Sequence, residues 1–150
     1  MNASLPLPSL PAPPDAVRRL IERLPIEPPS FVLAKVLNRV LLPRLGADAR
    51  AALADRCVEV HVSDFGVKMR LALGARGFAL APRGADVALR VSATASAFWR
   101  MASGEEDADT LFFERALVME GDTEFGLLVK NTLDAIGPLV PAFLRQSRGR

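Results

Sequence analysis

The sequence predicts an α+β domain: one mostly antiparallel sheet of five strands, with helices covering a face of it. Three observations predict this. A chain of 150 residues is the size of one ordinary domain with one core. Its apolar residues recur at helical spacing up to about Ala54, alternate with polar ones from Cys57, and return to helical spacing after Val91. Each alternating stretch ends in a turn containing Gly or Pro, as half-buried strands do.

Eight of the 12 prolines precede Ser30, so residues 1–29 are expected to form a Pro-rich arm. Within it, Val17, Leu20, Ile21 and Leu24 share one helical face, while Arg18, Arg19, Glu22 and Arg23 turn elsewhere. This short amphipathic helix suits an anionic membrane, a partner, or the domain's own core. The domain proper is expected over residues 30–137. Ser30 is placed to cap a second helix, whose stripe Leu33, Val36, Leu37, Val40 and Leu41 is expected to be buried and to run until Pro43. Helical turns over Ala47 to Ala54 then lead into the sheet.

In the first strand Val58, Val60 and Val62 alternate with outward Glu59, His61 and Ser63. After the Asp64-Phe65-Gly66 turn, Val67, Met69 and Leu71 alternate with Lys68 and Arg70; Phe78 and Leu80, then Val87, Leu89 and Val91, continue the pattern. A four-stranded meander is the simplest connection. The segment SATASAFWRMASG predicts a helix with Ala95, Phe98, Trp99 and Ala102 on one face, Ser92 or Thr94 as cap and Gly104 as stop. An acidic link, EEDAD, precedes a fifth strand over Ala116 to Glu120 and a turn at Gly121. Asp122 caps the last helix, which turns Phe125, Leu128, Val129, Leu133 and Ile136 inward and places Glu124 at the positive end of its dipole. Residues 138–150 form a tail in which Leu139, Val140, Phe143 and Leu144 precede Arg145, Arg148 and Arg150, a composition suited to reversible attachment to an anionic bilayer.

Half of the residues are hydrophobic and the mean hydropathy is +0.21. The longest charge-free apolar run of the folded part, Ala135 to Leu144, is nevertheless short of the roughly 20 residues of a membrane span. The apolar excess must fill a large core, a cavity, or a surface that meets lipid or protein. The first residues lack the basic start and continuous apolar run of a secretory leader. The single cysteine, Cys57, offers no intrachain disulfide. A cytoplasmic setting is expected, with the basic tail opening a peripheral place on the inner membrane surface.

The formal charge of +2 is unevenly distributed. Gly104 to Glu124 holds eight of the 17 acidic residues and one basic residue, Arg115, which leaves 18 Lys/Arg against nine Asp/Glu elsewhere. A basic body attracts anionic partners, but arginines scattered singly, without interleaved stacking aromatics, argue against nucleic acid. Catalytic signals are lacking. His61 has no second His or Cys with which to hold a metal, Cys57 has the setting of a small buried hydrophobe, and the glycines form no phosphate loop. The clustered carboxylates suit loop solvation, a helix cap and dipole partners better than an acid/base pair.

The apolar side is richer. Phe98, Trp99, Met101, Leu111, Phe112, Phe113, Met119 and Phe125 gather four of the eight phenylalanines, the only tryptophan and two of the four methionines into one stretch. Such a cluster makes either a plain core or, with flexible Met beside aromatics, an adaptable apolar pocket. Phe112 and Phe113, followed by Glu114 and Arg115, suggest a bend that sends the two rings in different directions.

The run DADTLFFERALVMEGDTEFGLLVKNTLDAI, Asp107 to Ile136, resembles the signature segment of the UbiT-type ubiquinone-biosynthesis accessory proteins, which are built on the sterol-carrier-protein lipid-binding fold. The pieces that carry it are Asp109-Thr110-Leu111-Phe112-Phe113, Glu120-Gly121-Asp122-Thr123-Glu124, Gly126-Leu127, Val129-Lys130-Asn131 and Asp134-Ala135-Ile136; looser matching extends back to Ser30. The resemblance implies a single curved sheet covered by helices, a hydrophobic cavity for a long-chain lipid, and neither catalytic residues nor a cofactor. It makes the helix that follows Ser30 contribute Leu33, Val36, Leu37 and Val40 to lipid contact, and the middle of the chain Phe98, Trp99 and Met101. Leu111, Phe112, Phe113 and Met119 would add to the wall, and the last helix Phe125, Leu128, Val129 and Leu133. The implied ligands are polyprenylated ubiquinone intermediates and phospholipid, presented to the oxygen-independent hydroxylases of the pathway. A second reading is a scaffold, in which the apolar surface assembles biosynthetic enzymes or a homodimer and no cavity exists.

Overall fold

The computed structural model describes Asp15, Arg19 and residues 27–140. The predicted Val17 to Leu24 helix and the tail beyond Val140 lie outside the described residues, although Asp15 and Arg19 are themselves helical and exposed. The described order is α1 (Glu27–Val40), a 3-10 turn (Leu42–Arg44), α2 (Ala47–Leu53), β1 (Cys57–Val62), β2 (Val67–Gly74), β3 (Gly77–Leu80), β4 (Val87–Ala93), α3 (Ala95–Ser103), α4 (Ala108–Phe113), β5 (Val118–Gly121) and α5 (Thr123–Ile136).

The strands form one sheet ordered β3-β2-β1-β4-β5. Three of the pairings are antiparallel, and β1 with β4 is parallel. The predicted meander is therefore corrected at one connection: β4 leaves β3 and crosses to the far side of β1. The physical reason lies in α1, which occupies the edge that a meander would use. Asn38 donates from Nδ2 to the Phe78 carbonyl at 2.9 Å and accepts from the Phe78 N–H at Oδ1 at 2.7 Å, bonding the edge strand as a neighbouring strand would. The crossover sets Leu89, Val91 and Ala93 beside Val58, Val60 and Val62 on one face.

Ser30 is not the cap of α1 but lies inside it. The helix starts at Glu27, because Pro28 and Pro29 fall in a first turn whose N–H groups have no intrahelical partner. Ser30 is fully buried, and its Oγ accepts the Arg70 N–H at 2.9 Å where β3 has ended. The expected burial of the α1 stripe is also corrected. Ala34 and Leu41 are buried, but Val36 is 48% exposed beside exposed Phe31 and Val32. Packing on β2 and β3 turns the Ala34 side inward, not the Val36 side.

Two apolar clusters result. The larger joins Leu89, Val91 and Ala93 to Ala97, Ala108, Leu111, Leu117 and Phe125. The smaller joins Leu41, Leu45 and Leu73, with Leu37, Phe78 and Ile136 packed on it; Leu53 touches both. The acidic link holds an unpredicted helix, α4, with the Asp107 side chain accepting from the Thr110 N–H. Phe112 and Phe113 therefore sit on a helix rather than at a bend, their rings edge to face with centroids 5.9 Å apart. The chain then turns at Arg115, at φ 62°, so β5 starts two residues later than predicted.

Gly121 closes that strand at φ 125°, and a Cβ there would lie 2.4 Å from the Ala88 carbonyl oxygen. Gly121→Ala is expected to cost about 1–3 kcal/mol from backbone conformation alone, with the clash in addition. A chemical-denaturation midpoint unchanged from that of the parent chain would contradict this reading of the β4–β5 contact.

Candidate lipid-binding site

β5 and α5, expected to form part of a cavity wall, are joined at the Asp122 cap. The Asp122 carboxylate caps α5 by accepting from the Phe125 N–H at 3.0 Å, and its other oxygen takes a 2.6 Å bond from Arg56. The Arg56 hydrogen bond, followed by the helix-end N–H, holds the Asp122 carboxyl below its usual range. The Arg56 guanidinium also lies over the Phe125 ring, 4.2 Å from its centroid. Lacking a side chain, Gly126 brings α5 down onto Leu89 and Met119. Farther along, buried Lys130 donates to Asp109 at 2.5 Å and to Asn131 at 3.2 Å, while Asp134 accepts the Asp109 N–H. This network ties α4 to α5, and the Asp109 bond raises the Lys130 pKa above its ordinary value.

The two apolar clusters flank β1 on the helix-bearing face. Register places Val60 beside Met69 on one side and Val91 on the other, with Val62 beside Val67. Val91 is buried, whereas Val60, Val62, Val67 and Met69 are only partly buried. These four form a partly exposed apolar strip at the end of the sheet next to the β1–β2 turn. A separate cavity of about 370 Å³ opens at the ends of α3 and α5. Met101, Leu133 and Leu139 give it an apolar side, and Glu105, Glu106, Asp107 and Asp134 a charged rim.

The opposite face of the sheet is polar. Glu59, predicted to point outward, does so and is nevertheless fully buried, because Arg70 (3.2 Å) and Arg90 close over its two carboxylate oxygens from the neighbouring strands. Burial pushes its pKa up, but the hydrogen bonds and charges of Arg90 and Arg70 together outweigh that and hold it below the ordinary value. Cys57 is buried as expected, and burial raises its thiol pKa. Among the described residues no group of three or more His, Cys, Asp or Glu could hold a metal, and no helix is long and apolar enough to cross a membrane.

Comparison with known proteins decides the family. The model of the SCP-2 sterol transfer family matches residues 34–134. The chain belongs to that family. Among curated relatives, the ubiquinone biosynthesis accessory factors UbiT of Escherichia coli strains K12 and O157:H7 are each 37% identical over 105 residues, 70% of this chain. The match spans 60% of the length of those relatives. The SCP-2 fold also superposes on a solved UbiJ-SCP2 ubiquinone synthesis protein, at TM-score 0.55 and 19% identity over 70% of this chain and 92% of that one. A sterol carrier protein domain 2 of Helicoverpa armigera gives 0.50 and 10%, over 73% and 91%.

Within this SCP-2 domain the predicted lipid-contacting residues divide by position. Leu111 and Phe125 are buried in the larger cluster, with Phe98, Met101, Met119, Leu128, Val129 and Leu133 packed around them. Leu37 joins the smaller cluster, and Leu33, Val40, Trp99 and Phe112 are partly buried. Val36 and Phe113 are exposed, the latter at 75%. Met101 and Leu133 are the predicted residues that reach the 370 Å³ cavity. Sequence reasoning left Val60, Val62 and Met69 out of the set, although their alternation already placed them on the helix-bearing face.

Proposed function

We propose that this protein is a non-catalytic lipid-binding accessory factor of ubiquinone biosynthesis. It holds the polyprenyl tail of quinone precursors, and phospholipid chains, on the apolar side of its sheet and presents the aromatic head to the oxygen-independent hydroxylases of the pathway. The observation that carries the reading is the SCP-2 match over residues 34–134, together with the 37% identity to UbiT. The strip formed by Val60, Val62, Val67 and Met69 is the floor on which a tail would lie. A tail needs an apolar surface and little else, since each buried methylene contributes about 0.8 kcal/mol without directed contact. Exposed Phe31, Val32 and Val36 suit docking to an anionic bilayer from which cargo is taken, and they are also where a scaffold would meet its partners.

Met69→Lys is expected to abolish lipid co-purification while leaving the circular dichroism of the fold unchanged. Ser92→Lys, on the opposite face, is the control and is expected to retain lipid. Equal lipid in both variants would contradict the floor.

A further inference from the structure

The two edges of the sheet are finished differently. At β3 the edge is sealed, with Asn38 satisfying both backbone groups of Phe78 and Ser30 taking the Arg70 N–H. At β5, among the described residues, no strand or isolated bridge lies beyond the outer side. Which groups that edge offers follows from the pairing. The Asp122 N–H donates to the Ala88 carbonyl at 2.9 Å, so by strand alternation Glu120 and Val118 also direct their backbone groups at β4. Met119 and Gly121 then direct theirs outward. Val118 is 39% exposed, and Glu120 and Gly121 are exposed as well.

The side chains around this edge specify a partner's charge. Glu114, Glu120 and Glu124 stand against Arg115 in the segment, while Asp122 is paired with Arg56. Arg90, which lies opposite Glu120, is engaged by the buried Glu59. A second copy of β5 would set acidic side chains against acidic side chains, an arrangement that destabilises cross-strand pairs. A basic strand meets no such penalty.

We propose that the outer edge of β5 accepts an extended segment of a partner protein as a sixth strand, one in which Lys or Arg alternates with β-branched apolar residues. The basic side chains would lie on the face that carries Glu120, and the apolar ones on the opposite face beside Met119. Main-chain bonds to Met119 and Gly121 give the contact its direction, as in other strand-addition complexes. The site is independent of the lipid floor, which lies between β1 and β2.

The test is amide NMR of the full chain titrated with a blocked peptide of alternating lysine and valine. The Met119 and Gly121 amides are expected to shift and to exchange with solvent about tenfold more slowly. A peptide of the same charge with proline at alternate valines cannot continue the ladder and is expected to leave that exchange unchanged. Glu120→Lys is expected to weaken binding about tenfold or more, the effect of a cross-strand like-charge contact together with the lost attraction. Met119→Pro removes one outward N–H without touching the β4 ladder and is expected to abolish binding; should it fail to fold, the wild-type amide readout decides alone. Equal effects of the two peptides, or changes confined to the acidic loop at Gly104 to Asp109, would overturn the proposal. So would a free chain that is dimeric with Met119 and Gly121 already protected, which would give the edge to a second copy.

Discussion

Replacing Arg70 and Arg90 together by alanine is expected to cost about 1.5–3 kcal/mol of stability at neutral pH, the range for hydrogen bonds to a charged group. The arginines themselves are not the loss, since each is 41% exposed and hydrated in part. The loss is the pair of charge-assisted bonds to Glu59, whose carboxylate the two arginines cover and the alanines would open to water. The pH dependence gives the mechanism a sign. In the parent chain the folded-state pKa of Glu59 is depressed, so its contribution is present above the ordinary carboxylate range and lost as pH falls through the folded value. In the double variant the cause of that depression is gone, so the loss is greatest at neutral pH and fades as acid protonates the carboxyl in both proteins. Denaturation curves of the two proteins should therefore converge on acidification. A gap that is constant with pH would mean that Glu59 is not the group responsible.

The second large effect is expected at Phe125. Truncation of a fully buried phenylalanine to alanine costs about 3–5 kcal/mol through lost burial and the cavity left behind. Phe125 is 1% exposed. It stands where the Asp122 cap, the Arg56 contact and the larger cluster meet. Phe113→Ala is the matched control: its ring is three-quarters exposed, and its loss is expected to move stability by about 0.5 kcal/mol or less. Urea midpoints of both variants, converted with a common slope, check the contrast; comparable losses would mean that the ring at position 113 is covered in solution.

Much of this was legible in the sequence because it depends on local periodicity. Alternation from Val58 to Leu71 assigned faces to β1 and β2, and Thr94 with Gly104 bounded α3. Asp122 was identifiable as a cap from its place before an apolar helical stripe. What escaped was decided by contacts distant in sequence. The position of β4 depends on Asn38 occupying the edge of β3, 40 residues away from its partner Phe78. Glu59 looked like any solvated strand residue, and its burial required the two arginines brought to it by the sheet register. The short helix α4 was hidden by its acidic composition, although Asp107 carried the capping signal.

The candidate site was legible in kind more than in detail. The aromatic and Met cluster did identify the apolar side, but most of its members fill space between the helices and β4, and periodicity carries no information on which side chains leave a gap. The strip at Val60, Val62 and Met69 belongs to neither cluster, and which parts of a sheet the helices cover is set by tertiary packing that local alternation does not encode.

The most direct test of the lipid reading is organic extraction and mass spectrometry of the purified, unmodified chain, with native mass spectrometry of the intact complex. A stoichiometric polyprenyl phenol, quinone or phospholipid is the predicted result. A protein that is empty as purified, and still empty after incubation with such lipids, would contradict it.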